Sequence, residues 1–363
     1  MLQGLALAGL VIISMLATGC GRRSSGTVDS MGPLFEAAFD YSPASSAGVG
    51  LDPSQSSVNQ YPMAFAVYTS SAVIAARRTE NDSYRDAATI AADWLVDNSD
   101  LNNDGLAGWG LPFAWDASQD GSTNPAHTVY GITTALAVKA LLDVYDLTET
   151  RQYLDVAEEA LDAYSDYYTP VDNRRGYVWY SQRPEDANPF PNVISMLAGV
   201  YARAADTLDR EDYKELAMSC AQYLMDCSID DTRGLYWPYR VGRSKPNDAV
   251  HAAYVVEGLL ELSAHCEIAW DVDSALDYLE QYQDDETLNR FVGYVPGPAR
   301  SWGIGYLMYV LCLAGRCDAA EESLLALSTY EFSPGKYGHT PGDDILFPRF
   351  HTHVLIALAE CGF

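Results

Sequence analysis

The strongest constraint on this chain is the alternation of its connections. From Tyr61 onward, apolar residues recur with a helical period over 61–78, 83–98, 127–146, 149–168, 192–208, 211–227, 249–265, 271–283, 302–315, 318–329 and 351–361. Short connections (78–82, 148–149, 209–210, 267–271 and 315–317) alternate with long ones (99–126, 169–191, 228–248, 284–301 and 330–350). A short connection forces its two helices antiparallel, so the short turns gather at one end and the long loops at the other. The pattern is five helical hairpins plus a final helix, repeating at roughly 50 to 65 residues. No strand series interrupts it, so an all-α chain is expected. Long loops in a compact domain are usually functional, which directs attention to the long-loop face.

Tandem hairpins stack as an open solenoid or close into a ring. The ring with one long-loop face resembles the six-hairpin, (α/α)6-toroid glycosidase superfamily. Eleven helices leave one place empty, and the segment PLFEAAFDY (33–41) either fills it against the last helix or leaves the ring incomplete. Residues 59–363 are read as one toroid domain, and residues 20–58, rich in Ser, Gly and Pro, as a flexible tether.

Residues 4–16 form an apolar run too short to span a bilayer comfortably, and small residues follow it. With Ala17-Thr18-Gly19-Cys20 this segment resembles a bacterial lipoprotein signal. The resemblance implies a signal peptide over 1–19, lipidation at Cys20 and attachment to the cell envelope by the lipid. Gly21 rather than Asp follows the cysteine, which points to the outer membrane, facing the periplasm or the exterior. The six remaining cysteines permit disulfides without requiring them, and their spacing fits no zinc pattern. The formal charge of −28 excludes nucleic acid and anionic membrane surfaces as partners of the bulk field.

The long loops share a texture of Gly and aromatics, then Pro or Asn, then a helix. Trp109, Trp115, Trp179 and Trp237 stand in them, and flat rings of this kind stack on the C–H faces of sugars. The alternative is that such rings fold inward and plug the bundle end, as expected for about half of them. Five of the six histidines (His127, His251, His339, His351 and His353) lie in or just after these loops. So do half of the 22 basic residues, which would give an anionic sugar bidentate partners. Asp100, Asn102 and Asp104 fit the first half of a calcium loop, but the residue at its twelfth position is Leu111. An ordinary Asx turn is the competing reading.

Trp179-Tyr180 followed by Pro184, Gly234-x-Tyr236 with Pro246-Asn247 and His251-x-x-Tyr254, and Gly108-Trp109 with Leu111-Pro112 together resemble the helical domain of D-glucuronyl C5-epimerases. The similarity spans about 105–265, and that family's β-domain has no counterpart here. It implies proton abstraction next to a uronate carboxylate, which needs a cation to hold the carboxylate and acid and base groups beside the ring. Arg240, Arg243 and Arg349 are the candidate holders. His251, Tyr254 and Tyr180 are the candidate acid/base groups, with Glu257 on the helical face of Tyr254. His127 and His351 are candidate binding residues. A polysaccharide epimerase or lyase is the leading expectation. A glycoside hydrolase using Asp116 with Asp343 or Asp344 is the second, and a non-catalytic polysaccharide-binding lipoprotein the third.

Overall fold

The structure, a computed structural model, describes residues 31–117, 121–243, 246–283, 290, 292 and 299–362. Residues 1–30, with Cys20 and the segment read as a signal peptide, lie outside the described residues. The described helices are α1 (Met31–Tyr41), α2 (Pro62–Thr79), α3 (Asp82–Asp97), α4 (Gly131–Thr148), α5 (Arg151–Ser165), α6 (Pro191–Leu208), α7 (Glu211–Cys227), α8 (Ala249–His265), α9 (Val272–Glu280), α10 (Ser301–Leu313), α11 (Cys317–Leu327) and α12 (Pro348–Gly362). The even-numbered helices form an inner ring. Each packs on the next, and α12 returns to α2. The outer layer is α3, α5, α7, α9 and α11, completed by α1 against α12. The fold is therefore an all-α (α/α) toroid, and its sixth hairpin joins the first and last helices.

Residues 31–58 correct the expected tether. Phe35 and Ala38 of α1 are fully buried in the core, and Phe39 stacks on Tyr68. Two short strands follow, β1 (Val49–Asp52) and β2 (Gln55–Gln60), paired antiparallel. The Ser and Gly content of this stretch sits in the turns and strands, while Leu34, Phe35, Phe39 and Val49 pack on the core.

Three more hairpins occupy equivalent places between an outer helix and the next inner one. They are β3 (Tyr168–Pro170) with β4 (Gly176–Val178), β5 (Ile229–Asp231) with β6 (Gly234–Tyr236), and β7 (Glu331–Ser333) with β8 (Lys336–Tyr337). At two or three residues a strand shows no alternation to read, which is why the periodicity missed them.

The short turns also repeat. Glu80, Glu149 and Asp209 end α2, α4 and α6 in the left-handed region, at φ 55, 59 and 56. Each uses its N–H to close the last turn. Small residues set the spacing of the inner ring. A Cβ on Gly258 of α8 would lie 2.4 Å from the backbone of Ser195 on α6, and one on Gly305 of α10 would lie 2.6 Å from the carbonyl of His353 on α12. The helices that carry the site are thus drawn together at backbone contact.

Below the site the ring interior is polar. Arg203 pairs with Asp143 at 2.7 Å, Lys139 with Asp143 at 3.3 Å, and Glu257 accepts from Tyr306 and Tyr309. The Cys312–Cys361 disulfide ties α10 to α12, while Cys220, Cys227 and Cys266 are free thiols. Among the described residues no helix is long and apolar enough to cross a membrane.

Candidate functional site

The inner helices all start at the long-loop end. There the face opens into a cavity of about 410 Å³, within the range of small-molecule sites. The first turns of α2, α4, α8, α10 and α12 line it with Met63, Thr133, His251, Trp302, Arg349 and Phe350, and Tyr254 joins them from the second turn of α8. Helix N-termini carry partial positive charge, so their convergence favours an anionic ligand. The end of β1 and its turn into β2 add Asp52 and Ser54 as one wall, and Phe113 and Trp115 of the first long loop form another.

Of the residues singled out in the sequence, His251, Tyr254, Tyr180, Trp115 and Arg349 come together here. Asp248 caps α8 by accepting from the His251 N–H at 3.2 Å, and the same carboxylate oxygen meets His251 Nδ1. Burial opposes ionisation of Asp248, but His251 and its hydrogen bonds hold the carboxyl below the usual range. An ionised carboxylate at Nδ1 keeps the proton there and leaves Nε2 as the basic nitrogen.

Tyr254 stands one turn further along α8, its ring centroid 6.3 Å from that of His251. Its hydroxyl donates to His353 Nε2 at 2.5 Å, and His353 Nδ1 donates to the Arg349 carbonyl at 2.5 Å. Burial pushes the His353 imidazole down to about 3, so it is neutral and its tautomer is set by those two bonds. Burial and the nearby Glu257 hold the Tyr254 hydroxyl well above the ordinary tyrosine range. Tyr180, raised likewise by burial, is fixed by its N–H to the Asp186 carbonyl at 3.1 Å. The Asp186 carboxylate in turn joins two long loops, accepting from Asn124 and Ser181 at 2.6 Å.

The other candidates stand elsewhere. Trp109 and Trp237 are 1% and 3% exposed, and their indole N–H groups bond the Leu95 and Leu224 carbonyls at the ends of outer helices. Trp179 donates to Thr169 at 2.7 Å across its own hairpin. Trp109 and Trp237 plug helix ends, and of these four tryptophans Trp115, 37% exposed, is the one that lines the cavity. Arg240 lies over Phe190 and donates to Asn188, and Arg243 is exposed; neither lines the cavity. Glu257 is buried in the ring interior, and Asp116 caps the Gly121 N–H at 3.0 Å outside the cavity lining. His127, at φ 65, also lies off the lining.

His351 points outward, stacked on Tyr337 with Nε2 3.3 Å from the Ala38 carbonyl of α1. In the proposed calcium loop, both Asp100 oxygens and Asp104 accept backbone N–H groups as in an Asx turn. Among the described residues no cluster of three or more His, Cys, Asp or Glu is arranged to hold a metal.

Sequence reasoning passed over Asp52 and Asp248 as site residues, whereas Trp302 stood among the loop aromatics and Arg300 among the loop cations read as facing a sugar. Asp52 and Ser54 fall in the supposed tether. Asp248 carries a signal in retrospect, standing three residues before His251 at a helix start.

The buried histidines imply a pH response. Burial lowers His351 to about 4 and His353 to about 3 from an ordinary 6.5. Between pH 6.5 and about 4 the unfolded chain takes up protons that the native fold refuses. Their contribution is complete above pH 6.5 and is lost as pH falls, by about 1.4 kcal/mol per pH unit for each histidine. Denaturant titrations of wild type and His351→Leu should show a shallower loss in the variant over this window. Equal slopes would count against a neutral, buried His351.

No family model and no curated protein matches this chain in sequence. Solved structures do match in fold. The α-1,6-mannanase of Salegentibacter sp. shares 15% identity over 92% of this chain and 99% of its own, with a TM-score of 0.65. Cellobiose 2-epimerase from Bacillus thermoamylovorans shares 12% over 98% and 99%, at 0.63. A polysaccharide lyase shares 15% over 93% and 97%, at 0.60. The chain shares the (α/α) toroid fold of these structures.

Proposed function

We propose that this protein is a carbohydrate-active enzyme that eliminates across the glycosidic bond of a uronate residue by proton abstraction. The adjacency of His251 and Tyr254 inside an arginine-lined cavity carries this reading. His251 Nε2 removes the C5 proton. The electron pair forms the C4–C5 double bond as the C4–O bond breaks, and the Tyr254 hydroxyl, turned from His353 Nε2 toward the sugar, protonates the leaving oxygen. Cationic side chains stabilise the charge that develops on the carboxylate.

Base and acid lie one helical turn apart on α8, so they reach the sugar from one side. That suits elimination, whereas epimerisation needs groups on both faces. A hydrolase needs a carboxylic acid with a raised pKa. Burial would raise Asp52 too, but Arg349 and Ser54 hold it below the usual range, as His251 does for Asp248. Neither cavity carboxyl is suited to donate a proton. The fold neighbours named above act on saccharides, which supports the substrate class.

The test is a panel of uronate oligosaccharides incubated in deuterated water. Unsaturated uronate products are expected. Deuterium at C5 with inverted configuration would reassign the chemistry to an epimerase. New reducing ends without unsaturation or C5 exchange would overturn the proposal in favour of hydrolysis. Saturable binding without turnover of any member would leave a binding protein.

A further inference from the structure

We infer that Arg300 reads the carboxylate of the sugar, and that Arg349 is held out of that role by Asp52. The inference rests on the uronate reading above and assigns the anionic subsite within it.

Arg349 looks like the natural candidate, but its guanidinium is already matched. Its Nε donates to Asp52 Oδ2 at 2.7 Å and a terminal nitrogen donates to the same oxygen. Its face lies over Trp302 at 5.5 Å and near Tyr61 at 5.9 Å. An incoming carboxylate would have to displace Asp52, an acid kept ionised by that pair. The Asp52–Arg349 pair therefore forms a neutral wall.

Arg300 lines the same cavity in the opposite condition. It is half-buried, and among the described residues its side chain makes no hydrogen bond, ion pair or ring contact. Its surroundings disfavour a cation in three ways. Burial strips water from the guanidinium. The residue is the N-cap of α10, beside the positive end of the helix dipole. Arg290 and Arg349 add like charge, and burial together with Arg290 pulls Arg300 below its ordinary value. Asp248 and Asp52 are close enough to offset part of this, but each is committed, one to His251 and one to Arg349.

A side chain that raises the energy of the free protein and faces a cavity is matched when an anion arrives. The planar fork of a guanidinium fits a carboxylate through two parallel hydrogen bonds.

The experiment is an NMR titration of the full chain with D-glucuronate and with its neutral isostere D-glucuronamide. Wild type is expected to favour glucuronate by about ten-fold or more, as a charge-assisted pair would supply. Arg300→Gln should bring the ratio near one while leaving glucuronamide affinity unchanged, and Arg300→Lys should retain part of the preference. Arg300→Gln should also melt no lower than wild type, since it removes an unmatched cation.

A preference that survives in Arg300→Gln but disappears in Arg349→Gln would overturn the assignment and leave the uronate reading intact. A wild type that binds both sugars equally would overturn the assignment as well. The chemistry would then be judged separately by C5 exchange. A Tm lowered by Arg300→Gln would mean a structural role, and would also overturn it.

Discussion

His251→Ala should lower turnover of a uronate oligosaccharide by about 10²–10⁴ while substrate binding stays within a few-fold. The expectation follows from how the imidazole is held. Asp248 orients the ring through Nδ1, Tyr239 packs edge-on against it at 4.9 Å, and Trp302 packs edge-on at 6.3 Å. A residue fixed in this way contributes a positioned lone pair more than binding area. Asp248→Asn should reproduce most of the loss, because an amide no longer fixes the proton on Nδ1. Tyr254→Phe deletes one hydroxyl without changing the packing against Tyr306 at 4.4 Å, and should also cut kcat with little change in KM. Steady-state kinetics on the three variants decides the matter. Full activity in His251→Ala would remove the base, and with it the elimination mechanism. Loss of binding alone would show that the pair contacts the sugar without acting on it.

The ring was legible because its signals are long-range and redundant. Each inner helix is buried on most of its surface, each outer one shows a single apolar stripe, and turn lengths alternate throughout. The place of the cavity followed from those turns. The cavity lining was less legible because loop aromatics have two uses that composition does not separate. Trp109 and Trp237 donate to outer-helix carbonyls, whereas Trp115 faces the cavity, and all three sit in similar Gly- and Pro-rich strings. Arginines behave the same way. Arg240 and Arg243 stand close to His251 in sequence yet off the lining, while Arg300 reaches it from the start of α10. Helix contacts across the ring place Arg300, and no local pattern in the sequence carries that information.

Removing residues 31–60 should destroy cooperative folding, and Phe35→Ala alone should cost about 3–5 kcal/mol. Phe35 is fully buried, 5.4 Å from Phe39 and 5.6 Å edge-on from Tyr84, so its ring bridges α1 and α3. The segment also closes the ring chemically. The Ala38 carbonyl faces His351, and a Cβ at Gly335, in the turn between β7 and β8, would lie 2.5 Å from the backbone of Ala37. Without α1 the outward side of α12, including a neutral histidine, would meet water, and so would the aromatic faces of Tyr68 on α2 and Tyr84 on α3. The same deletion removes Asp52, which anchors Arg349 at the cavity wall. Lost stability and lost function are therefore linked through one stretch of chain. Arg349 without Asp52 would be a second unmatched cation beside Arg300, so Asp52→Asn in the intact chain should disturb ligand selectivity more than it disturbs folding. Chemical denaturation of Phe35→Ala and of the 61–363 fragment tests the structural part. A fragment that unfolds at the midpoint of the full chain would mean that the N-terminal stretch is a tether after all.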